Sequence, residues 1–126
     1  MSRVPRVLLV DDETLVLSSL QRILRLEPYD IATAGGGAEA LEYLEREGAD
    51  LVLSDYKMPG MNGVEFLRRV AERHPGVVRM MLTAHADPVE LEAALASGLV
   101  QRAFRKPWDN RALREAITAG LAAAAS

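Results

Sequence analysis

The stretch Leu51-Val52-Leu53-Ser54-Asp55 constrains the fold more than any other in the chain, because it is apolar on consecutive residues, ends in a carboxylate and is followed by Pro59-Gly60. A short apolar run bounded by turn residues reads as a strand buried on both faces, and such strands belong to parallel sheets covered by helices on each side. Four other runs have the same character. Val7–Val10 runs into Asp11-Asp12-Glu13, and the weaker Ile31–Ala34 into Gly35-Gly36-Gly37. Val77–Leu82 stops at Thr83-Ala84, and Val100–Phe104 leads to Lys106-Pro107-Trp108-Asp109.

Helical periodicity fills the intervals. Thr14 opens a helix on which Val16, Leu20, Ile23 and Leu24 recur, and Pro28 closes it. Ala40, Leu41 and Leu44 mark a second helix ending at Gly48, and Val64, Leu67, Val70 and Ala71 a third ending near His74-Pro75-Gly76. Pro88 to Ser97 is a short alanine-rich helix stopped by Gly98. In the last, Leu113, Ala116, Ile117, Gly120, Leu121 and Ala124 fall on one face.

Five strands alternating with five helices predict an α/β chain, a flavodoxin-like (βα)5 doubly wound parallel sheet of strand order 2-1-3-4-5. That order makes strands 1 and 3 neighbours, with the ligand crevice at their carboxyl ends. At 126 residues, 1–126 is expected to be a single domain, ordered over about 7–121, with 122–126 a tail or the start of a linker.

Composition narrows the setting. A net charge of −3 with acids and bases interspersed provides no footprint for direct nucleic-acid binding or for an anionic membrane, and no apolar run is long enough to span a bilayer. The absence of cysteine fits a cytoplasmic protein. The methionines read as core filling, and Trp108 as part of a packed turn or an interface residue.

The predicted topology brings Asp11 and Asp12 from the first strand end towards Asp55 on the third. Two unit charges about 4 Å apart at an effective dielectric of 20 repel by about 4 kcal/mol, a cost that a bound cation would offset. Oxygen ligands without His or Cys favour Mg2+. Glu13 reads as a helix-start acid. Thr83 offers a hydroxyl, Ala84 leaves room for an anion, and Lys106 offers a compact cation.

This ordered set, Asp11-Asp12, Asp55 with Lys57-Met58-Pro59-Gly60-Met61-Asn62-Gly63, Thr83-Ala84 and Lys106-Pro107, resembles the response regulator receiver domain of two-component signalling, over about Val7 to Leu121. The resemblance implies that Asp55 is the phosphoacceptor and that Thr83 and Lys106 bind the phosphoryl oxygens. It implies that Asp11, Asp12, Asp55 and the backbone carbonyl of Lys57 hold magnesium, and that Lys106-Pro107 is cis. The partners implied are a sensor histidine kinase or phosphotransfer protein, a fused or separate effector domain, and a second copy through the fourth helix, fifth strand and fifth helix. Lys57 and His85 are expected at the site mouth, tuning hydrolysis of the phosphoryl group.

One position departs from the pattern. Similar receivers carry an aromatic three residues before the lysine, where this chain has Ala103; strand alternation places Phe104 on the opposite face. The usual aromatic coupling to Thr83 is therefore in question. Two other functions compete: a docking module indifferent to phosphorylation, and a nucleotide-binding enzyme domain. The second rests on Gly35, Gly37 and Ala40 in a G-x-G-x-x-A pattern with Asp55 following, and it leaves Asp11, Asp12, Thr83 and Lys106 without a role.

Overall fold

The computed structural model describes residues 4–125. The elements in chain order are β1 Arg6–Val10, α1 Thr14–Leu24, β2 Asp30–Ala34, α2 Gly37–Arg46, β3 Leu51–Asp55, α3 Gly63–Arg73, β4 Val78–Thr83, α4 Pro88–Ala96, β5 Arg102–Arg105 and α5 Asn110–Ala125. The strands form one parallel sheet in the predicted order, β2-β1-β3-β4-β5, so this is the flavodoxin-like topology. Among the described residues no helix is long and apolar enough to cross a membrane.

Alternate strand residues serve opposite faces. Val7, Leu9, Leu51, Leu53, Met80 and Leu82 pack with Leu17, Leu20 and Leu24 of α1 and Leu113, Ile117 and Leu121 of α5. Leu8, Val10, Val52 and Met81 pack against the other layer, with Leu44 of α2, Val64, Phe66, Leu67 and Val70 of α3 and Ala94 of α4. Burial of each Leu, Val or Phe side chain in these layers contributes about 1.5–3 kcal/mol. Phe104 joins the α1/α5 layer with Trp108, and Ala103 faces the other, as alternation requires. Met58, Met80 and Met81 are buried, and Met61 packs against the α2–α4 layer; Met1 lies outside the described residues.

Several boundaries move. The fifth strand is Arg102–Arg105, not Val100–Phe104, because the Val100 N–H donates to the Ala94 carbonyl and keeps Val100, although fully buried, on the end of α4. The fourth strand begins at Val78, since the Val77 N–H closes a turn onto the His74 carbonyl, and it extends through Thr83. α1 stops at Leu24, short of Pro28: the residue before a proline is driven out of the helical region, and Leu26 is 87% exposed with no packing to hold another turn. α2 ends at Arg46; Gly48, at φ 77°, donates to the Leu44 and Tyr43 carbonyls and closes the helix. Residues 122–125, expected as a tail, continue α5 as alanines, the best helix formers; residue 126 is outside the described residues.

The turn after α4 is held from the sheet. Half-buried Arg79 of β4 donates through Nε to the Leu99 carbonyl (2.7 Å), through Nη1 to Val77 (2.9 Å) and through Nη2 to Gly98 (3.4 Å). Its backbone N–H donates to the Gln101 side chain at 2.6 Å.

Candidate functional site

At the carboxyl ends of β1, β3, β4 and β5 the sheet gathers the predicted residues. Asp11 follows β1, where its N–H donates to the Ala34 carbonyl across the sheet edge, and it is only 2% exposed. Its Oδ1 accepts from the Glu13 N–H at 2.9 Å and its Oδ2 from Lys106 Nζ at 3.0 Å. Asp55, the last residue of β3, is 6% exposed; Oδ1 accepts from the Tyr56 N–H at 2.8 Å, and Oδ2 lies 3.3 Å from Lys106 Nζ. Asp12 is exposed, yet Asp11, Asp12 and Asp55 offer oxygens that all lie within 4.8 Å of one another. Glu13 adds a fourth acid at 3.9 Å from Lys106 Nζ.

Lys106 reaches this cluster because its N–H donates to the Thr83 carbonyl, continuing the β4–β5 pairing past the strand end. The Lys106-Pro107 bond is cis. Thr83 is buried, and its hydroxyl oxygen accepts from the His85 N–H at 3.2 Å. A cavity of about 450 Å³ opens over Asp12, Asp55, Lys57, Thr83, Ala84 and Lys106, with His85 on its wall. A larger cavity of about 710 Å³ lies between Pro5, Asp50, His74 and Leu121, at the amino ends of the strands, and Asp50 is the sole acid on its wall. Of these two, the smaller brings acids, a cation and a hydroxyl together at the strand ends.

The charges do not balance. Burial first, then the negative charge of Asp11, raise the pKa of Asp55, and the charge and hydrogen bond of Lys106 do not reverse it. Burial on its own would lower Lys106, but its hydrogen bond to Asp11 and the charges of Asp55 and Asp11 outweigh that and leave it raised. One ammonium thus serves an excess of carboxylates. A hard divalent cation fits such an oxygen-only cluster, and magnesium suits it because it takes one or two carboxylates and keeps several waters.

A stability consequence follows. A carboxyl whose folded pKa lies above its unfolded value binds more protons when folded, so stability falls as pH rises from the unfolded pKa through the folded one. Asp55→Asn should therefore match the parent below about pH 4, where the carboxyl is protonated folded and unfolded, and be more stable at pH 7 without divalent metal. Urea unfolding at both pH values checks this; equal stability at pH 7 would contradict it.

Two features of the site were not legible as such. Gly63 opens α3 against the back of Asp55: its N–H donates to the Tyr56 carbonyl at 2.7 Å, and a Cβ there would lie 2.2 Å from the Asp55 carbonyl oxygen. The available signal was Asn62-Gly63, in which Asn62 caps the helix by accepting from the Glu65 N–H. The second is a 2.5 Å hydrogen bond from the Tyr56 hydroxyl to Glu90 Oε1 on α4. That bond to Glu90 raises the Tyr56 pKa, with burial adding to it, so the hydroxyl keeps its proton.

The glycine pattern does not form a dinucleotide site. Gly35 and Gly37 follow β2, which is the edge strand, and the Gly35 N–H is already taken by Glu39 Oε1 at 3.1 Å, an acid where a pyrophosphate would need donors. A Cβ on Gly37 would lie 2.9 Å from Met61 Sδ, a packing reason for glycine.

Comparison with known proteins agrees with this geometry. The family described as the response regulator receiver domain matches residues 7–118. The transcriptional regulatory protein GlrR of Escherichia coli K12 is 39% identical over 111 residues, covering 88% of this chain and 25% of its own length. The signal receiver domain of an HD domain-containing protein from Pseudomonas fluorescens Pf-5 superposes with a TM-score of 0.92 at 33% identity, over 97% of this chain and 98% of that one. A CheY-like response regulator receiver domain protein from Methanospirillum hungatei JF-1 gives 0.90 at 33% identity, over 97% of both chains. The chain spans about a fifth to two fifths of the length of the curated relatives it matches.

Proposed function

Because the chain belongs to the response regulator receiver domain family of two-component signalling, we propose that Asp55 accepts a phosphoryl group from a sensor histidine kinase, a phosphotransfer protein or a small phosphodonor, and that the product shifts the domain between two conformations. The observation that carries this reading is Asp55 at the cavity floor with one oxygen 3.3 Å from Lys106 Nζ, beside Asp11 and Thr83. An Asp55 carboxylate oxygen forms a bond to phosphorus as the donor's P–O or P–N bond breaks, and the leaving group departs with that electron pair. Lys106 neutralises charge on the transferring group, and the Thr83 hydroxyl donates to one of its oxygens. Asp11, Asp12, Asp55 and the Lys57 carbonyl hold Mg2+, which when bound supplies further charge neutralisation. The task is signalling, with catalysis limited to the domain's own phosphorylation and dephosphorylation.

Lys57 and His85, on the cavity wall, set how readily water reaches the aspartyl phosphate. Residues 1–126 act as one receiver domain in the cytoplasm. The output passes to a fused or separate effector, and a second copy docks through α4, β5 and α5. Several relatives are named as transcriptional or DNA-binding regulators, which supports an output on transcription through such an effector. Ala103 favours one alternative, a docking module whose partners ignore phosphorylation; partner binding unchanged by the adduct would support it.

Acetyl phosphate with and without magnesium, on wild type and Asp55→Asn, read by intact mass, tests the proposal. The expected result is a single phosphoryl adduct that needs both the metal and Asp55. An adduct of equal yield on the Asn variant would sink the assignment.

A further inference from the structure

α4 is the least anchored helix of the fold. Ala94 alone is buried along its length, Val89 is 78% and Leu95 40% exposed, and a cavity of about 540 Å³ separates it from β5 beside Thr83, Asp87, Leu91, Ala103 and Phe104. Ala103 contributes only a methyl group on that side, and Arg105, the other β5 residue on that face, lines the cavity from the strand end. The amino-terminal end of α4 is instead tied to the phosphoacceptor strand end. Glu90, in the first turn, accepts from the Tyr56 hydroxyl at 2.5 Å, and the N–H of the same Tyr56 donates to Asp55 Oδ1 at 2.8 Å.

We infer that Tyr56 is a positioning residue that couples the state of Asp55 to α4 through its hydrogen bond to Glu90, a route that does not use β5. The inference rests on Asp55 being the phosphoacceptor. In the resting protein, a charged carboxylate holds the Tyr56 N–H, and a hydrogen bond to a charged acceptor is roughly twice as strong as a neutral one. Phosphorylation converts that carboxylate into an acyl phosphate, and whichever oxygen bears phosphorus, the N–H then faces a neutral carbonyl or ester oxygen. The backbone of Tyr56 is released, its hydroxyl leaves Glu90, and the first turns of α4 loosen. The ring of Tyr56, packed half-buried against the α2–α4 layer, supplies the rigid arm between the two bonds.

The test is amide hydrogen exchange across Pro88–Ala96 in wild type, Tyr56→Phe, Glu90→Ala and the double variant, before and after acetyl phosphate with magnesium, with adduct yield read by mass. Before phosphorylation, Tyr56→Phe and Glu90→Ala should each accelerate exchange in α4 roughly tenfold, and the double variant should go no further, because both remove the same bond. Adduct formation should accelerate α4 in wild type and leave the variants where they already are. Glu90→Ala should still take the adduct. Additive effects of the two substitutions, or an α4 response to phosphorylation that is the same in wild type and Tyr56→Phe, would overturn the coupling while the phosphoacceptor assignment stands. Absence of any adduct on wild type would remove the assignment and the coupling with it.

Discussion

Gly63→Ala should destabilise the protein by about 3 kcal/mol, at the upper end of what overpacking costs, although it adds a single methyl group. The added Cβ would lie 2.2 Å from the Asp55 carbonyl oxygen and 2.9 Å from Tyr56 Cα, both backbone atoms that cannot swing aside as a flexible side chain would. Relief requires β3 and α3 to separate, which breaks the 2.7 Å bond from the Gly63 N–H to the Tyr56 carbonyl and displaces Asp55. Gly76→Ala is the control: nothing lies within 4 Å of its Cβ position, and the shorter list of unfolded conformations should leave it neutral or stabilised by about 0.5 kcal/mol. Urea midpoints measured side by side decide the matter, and equal midpoints would show that the β3–α3 approach yields more easily than the backbone contact implies.

Lys106→Met should have the other large effect. The methionine keeps the apolar stem, so the loss reports the ammonium. Without it, Asp11 and Asp55, 2% and 6% exposed, face each other with no cation, and breaking a buried pair in this way costs about 3 kcal/mol. Two conditions should erase the deficit. Acidification protonates Asp55, whose pKa burial and the Asp11 charge already raise, and so removes the like-charge pair, and saturating magnesium, on the proposed metal site, should stabilise the folded form. A deficit untouched by either would mean that Lys106 acts through packing alone.

The architecture could be read from the chain because its determinants are local. Leu51–Asp55 is apolar on both faces and the helices carry their own periodicity, so the element order, the parallel sheet and the meeting of Asp11, Asp12 and Asp55 follow from alternation and handedness. What escaped depends on contacts between distant residues. Val100 reads as strand because burial and extension give the same apolar letter, and only the bond from its N–H to Ala94 distinguishes them. The Tyr56–Glu90 bond spans 34 residues and ends on a helix whose apolar residues are spread around it and not gathered on one face, so no pattern marks which side of α4 turns inward. The close approach at Gly63 is invisible for a related reason: a missing side chain leaves no trace of what would have met it.

Arg79 sets the geometry of whatever motion α4 undergoes. With its guanidinium on the carbonyls of Val77, Gly98 and Leu99, and its own N–H on Gln101, the carboxyl end of the helix is pinned to β4. The amino end hangs on Asp87, on the half-buried side chain of Leu91 and on the Tyr56 hydroxyl. The helix is thereby a lever with a fixed heel and a free toe, and displacement should grow from Ala96 back towards Pro88. A partner that grips the toe would sense the signal at full amplitude, and one that grips the heel would scarcely sense it.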